Sequence, residues 1–221
     1  MTSNSRLSIL VMRLLAGVAG GLMGTLAALG IFLLAAFAQP AAEELVKLTA
    51  SYSLVAILAM VFFGTLVSNL LVTFLLYLWD PAKYTRLKLM LSQVFLFTLL
   101  LFLVSLPFYL IAREALLSVA ASHFLLSALV CALVCEVVSG YRFVLTGLMG
   151  VLISGTFLYG VFSLLLWASQ NYSLLVIFFL PLTWICIVGG VFLIEVVHEK
   201  IFGAYGYHPL SPEVESYKVI K

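Results

Sequence analysis

Charge is scarce in this chain: Asp, Glu, Lys and Arg together make up 9% of its 221 residues. That scarcity excludes a solvated domain held in water by its surface, and a formal net charge of +2 leaves no electrostatic footprint for nucleic acid. Cysteine is nearly as rare. The three cysteines all fall within apolar stretches, so they do not suggest a disulfide framework. No His-Glu-x-x-His occurs, no aspartates are paired within the apolar segments, and no glycine-rich loop follows a strand. The residues of zinc peptidases, aspartyl enzymes and phosphate-loop proteins are therefore missing, and the chain reads as non-enzymatic with no catalytic and no metal residues.

Apolar length is abundant instead. The chain is 65% hydrophobic with a mean hydropathy of +1.25, a composition at home in a lipid bilayer. About 20 apolar residues cross a hydrocarbon core as a helix, and six such runs can be counted, at about 14–38, 53–79, 89–112, 116–138, 143–168 and 173–197. Backbone facing lipid must close its own hydrogen bonds, so the expected fold is all-α and polytopic, with six transmembrane helices. The connections are short. Residues 1–200 then form one transmembrane domain and residues 201–221 a cytoplasmic tail. The first run extends to about 25 residues, longer than a signal-peptide core, and reads as an anchor.

Orientation follows from the basic residues. With the N-terminus inside, one side collects Arg6, Arg13, Lys83, Arg86, Lys88, Arg142, Lys200, Lys218 and Lys221, and the other only Lys47 and Arg113. This asymmetry places both termini in the cytoplasm, and the expected location is a bacterial inner membrane.

The first run carries a ridge of small residues, Ala16, Gly20, Gly24 and Ala28, four apart. Helices already in lipid associate through close backbone approach, so such a ridge calls for a partner helix. Thr65, Asn69 and Thr73 beside Gly64 and Ser68 form a similar face in the second run, as do Thr146, Gly150 and Ser154 beside Gly147 and Gly155 in the fifth. The third run is a bulky Leu/Phe cylinder with Pro107 near its end.

Two polar patterns interrupt the apolar background. His123, Ser127, Cys131, Cys135 and Ser139 stand four apart on the fourth run, as a packing stripe or as a polar track for protons or a small solute. His123, Cys131 and Cys135 would supply three ligands where a structural zinc takes four. The second pattern is acidic. Each even run ends with a carboxylate, Asp80, Glu136 or Glu195, followed by a base, Lys83, Arg142 or Lys200. The segments "EVVSGYRF" and "EVVHEKIF" share Glu-Val-Val and a later Phe, which suggests three related hairpins. An acid near a helix C-terminus opposes the macrodipole and requires a cation or donor. Glu136 and Glu195, with His198, therefore make either a cation or proton site or an interfacial salt-bridge pair. Ser154-Gly155 and His198 offer a serine and a histidine, but "VLISGTF" lacks the Gly-x-Ser-Gly context of rhomboid-type proteases and the two lie at different depths. The tail "IFGAYGYHPLSPEVESYKVIK" is aromatic enough for Tyr205, Tyr207 and Tyr217 to lie along headgroups or dock on another subunit.

Two functions fit these features. The first is a non-catalytic integral subunit that packs through its small-residue faces with other membrane subunits in a larger complex. The second is a small-solute transporter or substrate-capture component. In support of the second, six helices, both ends cytoplasmic, this length and the Ala/Gly ridge on helix one resemble the substrate-binding S components of energy-coupling-factor vitamin transporters. That resemblance implies that the ridge docks a coupling subunit, although this chain has Ala16-x-x-x-Gly20 and Gly24-x-x-x-Ala28 where the family has Ala-x-x-x-Ala. The sequence leaves any cofactor unknown, and the bilayer is the one partner common to both functions.

Overall fold

A computed structural model describes residues 3–37, 46–111, 116–139, 144–168 and 172–202. They form six helices: α1 (Ser3–Phe37), α2 (Val46–Trp79), α3 (Leu87–Ile111), α4 (Leu116–Val138), α5 (Val144–Ala168) and α6 (Tyr172–Phe202). All six are long and apolar enough to cross a membrane, and no strand occurs among the described residues. The chain is thus an all-helical, multi-pass membrane protein. The expected tail, 203–221, lies outside the described residues.

Helix ends differ from the hydropathy reading in one informative direction. α1 starts at Ser3 where the apolar run starts near 14, and α6 continues to Phe202 where the run stops near 197. Hydropathy falls at Arg6, Arg13 and Lys200, but a helical backbone needs only its own hydrogen bonds to continue past them. At 1.5 Å per residue the 35 residues of α1 reach about 52 Å, well beyond a hydrocarbon core of about 30 Å.

Four helices make the core. α1 packs on α2 and α6, and α4 packs on the same two from the other side; α3 lies outside against α2 and α4, and α5 against α4 and α6. Small residues set the closest approaches. Ala16, Gly20, Gly24 and Ala28 are all buried, and a side chain at Gly20 or Gly24 would meet Val72, Ser68 and the carbonyl of Gly64 on α2. The helix that fills the ridge is therefore α2 of the same chain. On the adjoining face of α1, Gly17 lies against Trp184 and Gly21 against Pro181, so α6 also approaches to backbone distance. α5 and α6 meet in the same way, with Gly150 against Val191 and Ser154 against Gly190. The third helix is largely lipid-facing: Phe95, Leu96, Phe97, Leu100, Leu103 and Phe108 are exposed on its surface.

Candidate functional site: a buried ion-pair cluster

The three carboxylates that end the even helices come together. Asp80 closes α2, Glu136 stands two residues before the end of α4 and Glu195 about two turns before the end of α6, and all three are buried at 3–7% exposure. Their cations come from elsewhere. Arg13 on α1 donates from Nε to Asp80 Oδ2 at 2.8 Å and from Nη1 to Glu195 Oε2 at 2.7 Å. Lys83, in the turn between α2 and α3, folds back into the bundle. Its Nζ lies 2.7 Å from Glu136 Oε2 and also donates to Glu195 Oε1. Each of the four core helices thus contributes a charge, and the α2–α3 turn adds the fifth.

The turn has a structural reason to enter the core. Asp80 keeps the helix going by one bond to the Leu76 carbonyl, and its own carbonyl accepts from the Lys83 and Tyr84 amides. Pro81 then stops the helix, lacking the amide to continue it. This tight turn aims Lys83 and Tyr84 inward, and Tyr84 Oη donates to Glu136 Oε1 at 3.0 Å. Burial, with the Glu136 carboxylate beside it, pushes the Tyr84 phenol well above its ordinary range, so it stays a proton donor. Lys83 Nζ also lies 5.0 Å from the Tyr84 ring centroid, a cation–π contact in a desolvated place. Among the described residues, two cations face three carboxylates.

Two further residues border the cluster. Gly147 on α5 leaves the space that the Glu136 carboxylate occupies. Trp184 on α6 crosses to α2, where its Nε1 donates to Ser68 Oγ at 2.9 Å. Between Trp184 and the charges is a cavity of about 10 Å³ lined by Arg13, Leu76, Tyr84, Cys135 and Glu136. It has room for about one water molecule.

Polar groups continue away from the cluster along α2 and α4. Thr73 Oγ1 donates to the Asn69 carbonyl at 2.7 Å and sits 3.6 and 3.5 Å from the Cys131 and Cys135 thiols. Asn69 Nδ2 donates to Ser127 Oγ at 2.9 Å and to Thr98 Oγ1 at 3.1 Å. One turn further, His123 Nδ1 is 3.0 Å from Ser105 Oγ on α3. All five residues of the α4 stripe, His123, Ser127, Cys131, Cys135 and Ser139, are buried toward α2 and α3 or the cluster.

The structure therefore brings Glu136 and Glu195 together through the shared Lys83 ammonium. His198 sits 3.2 Å from Thr146 Oγ1 on α5. His123 is 13 residues from Glu136, about 20 Å along α4, at the opposite end of the polar line. Lys200, a candidate cation for Glu195, is exposed, and Arg142, the candidate for Glu136, lies outside the described residues. Farther out, Arg6 pairs with Glu199 in a part-exposed contact. No family model matches the chain, and no curated protein or solved structure is similar to it.

Proposed function

We propose that the protein is a small-solute transporter whose interior opens to one side of the membrane at a time, with the five-charge cluster as the gate that closes one end. The observation that carries this reading is the convergence of Arg13, Asp80, Lys83, Glu136 and Glu195 from four core helices and one turn onto a single buried centre. Ionisable groups in lipid are costly and mark ion and solute pathways. A hydrophobic contact would hold the same helix ends more cheaply, since taking ions out of water offsets much of their attraction. A set of ion pairs has a compensating property: once water reaches it, each partner is solvated and the ends can part.

In this account both termini and the charged end face the cytoplasm, on the side that holds nine of the basic residues, and the membrane is a bacterial inner membrane. The gate is non-catalytic. The ridge on α1 that called for a partner helix is covered by α2.

Thiol accessibility tests the gate without knowledge of the solute. Cys131 and Cys135 lie behind the cluster and are 1–2% exposed. In membrane vesicles of a Cys186→Ala chain, N-ethylmaleimide should label them slowly, and Asp80→Asn with Glu195→Gln should raise the rate at least tenfold while the protein stays folded. Rates that stay equal in folded protein would refute the gate.

A further inference from the structure

The sixth helix changes its close partners along its length. Before residue 189 it is held by α1 and α2: Pro181 meets Gly21 at backbone distance, Trp184 meets Gly17, and Trp184 Nε1 donates to Ser68 Oγ at 2.9 Å. After residue 189 it is held by α5. The Val191 backbone packs on Gly150, a side chain at Gly190 would meet Ser154, and His198 Nδ1 lies 3.2 Å from Thr146 Oγ1. This second part meets α1 through charge: Glu195 pairs with Arg13, Glu199 pairs with Arg6, and the Arg13 guanidinium lies 5.9 Å from the Phe192 ring centroid.

Gly189 falls on the boundary. It is half-buried, and a Cβ added there would meet one atom of another helix among the described residues, Leu14 Cδ2 at 3.8 Å, which is ordinary contact. Close packing therefore accounts for Gly17, Gly21, Gly150 and Gly190 but not for Gly189. Glycine is the poorest helix former after proline, and what it supplies in exchange is backbone freedom. Proline is the other common cause of a bend in a helix. Pro181, however, is clamped against Gly21, and Trp184 one turn later is tied to α2.

We propose that α6 bends at Gly189, and that residues 190–202 swing with α5 as one body away from α1. In that motion Glu195 leaves Arg13 and Lys83, Glu199 leaves Arg6, and Lys83 stays with Glu136. The contacts that part are ionic and can be taken over by water. Those that persist are the close backbone approaches at Gly17, Gly21 and Gly150, which water cannot replace. Reading the bend as the opening stroke rests on the gate proposal; the bend itself is measured separately.

Pulsed electron spin resonance tests it, in a chain whose native cysteines are replaced by alanine and whose pairs are weakened by Asp80→Asn with Glu195→Gln. Labels on exposed positions form three pairs: Leu7 with Val197 across the parting, Leu145 with Val197 within the moving body, and Leu26 with Leu182 within the stationary one. The first pair should gain a longer population while the other two keep their distances. Gly189→Ala, which fits its surroundings, should cut the longer population about fivefold, the ratio that the helix propensities of alanine and glycine set. A lengthened Leu145–Val197 distance would overturn the moving body. A Leu7–Val197 distance that does not lengthen, or a longer population indifferent to Gly189→Ala, would overturn the hinge. Thiol labelling separates the hinge from the gate. Faster labelling with Leu7–Val197 unchanged leaves a gate without this hinge, and a lengthened Leu7–Val197 distance with slow labelling leaves the hinge without the gate.

Discussion

Lys83 is the residue on which the cluster turns, because one ammonium serves both Glu136 and Glu195. Lys83→Met takes the ammonium from the buried Glu136 carboxylate and leaves Glu195 with Arg13, and removing one partner of a buried ion pair costs about 3–5 kcal/mol. Thermal unfolding of the purified protein in detergent should show that loss, and adding Glu136→Gln should recover part of it; a double variant no more stable than the single one would contradict the pairing. Gly147→Ala is subtler. The added methyl falls where the Glu136 carboxylate lies, so the carboxylate must leave Lys83 and Tyr84, and the melting temperature should drop although Ala is the better helix former. The acids were legible as residues: Asp80, Glu136 and Glu195 stand out in an apolar sequence, each at a helix end where the dipole opposes it. Of their cations, Lys83 was legible as a base after Asp80 although it pairs with Glu136 and Glu195, and Arg13 was not legible. Arg13 reads as a residue ahead of a span, and only the pairing of α1 with α2 and α6 turns it inward. Tyr84 and Trp184 carry no local mark in the sequence, because an aromatic ring in an aromatic-rich chain does not show what its polar tip meets.

At the scale of elements, small residues decide which helices touch. Gly24→Leu would drive a side chain into Ser68 and the Gly64 carbonyl, whereas Gly30 has nothing within 4 Å of an added Cβ. Gly24→Leu should therefore abolish the folded monomer and Gly30→Leu should leave it unchanged, as judged by size-exclusion profile and protease resistance in detergent. Gly24→Leu protein that folds normally would contradict the α1–α2 contact. The ridges themselves were readable from spacing alone, and so were Gly64 and Ser68 as small residues on α2. What spacing leaves open is which ridge meets which, since Ala16, Gly20, Gly24 and Ala28 would accept any helix able to come as close. Hydropathy located all six helices and set both ends of α3, α4 and α5 within a few residues, but it began α2 seven residues late. It failed at the outer ends of α1 and α6, where charged residues continue the helix.

Across the whole molecule, four core helices converge on the charges at one end. A transporter alternates between openings at its two ends. The charged end should then part when its pairs are weakened, while the opposite end closes, and both changes can be read as distances. The most direct measurement uses pulsed electron spin resonance on a chain whose three native cysteines are replaced by alanine. Labels are set at exposed Leu7 and Val137 for the charged end and at exposed Leu34 and Ile111 for the other. Asp80→Asn with Glu195→Gln should add a longer population to the first pair and a shorter one to the second. Single distributions unchanged by the substitutions, in protein that remains folded, would contradict the gate.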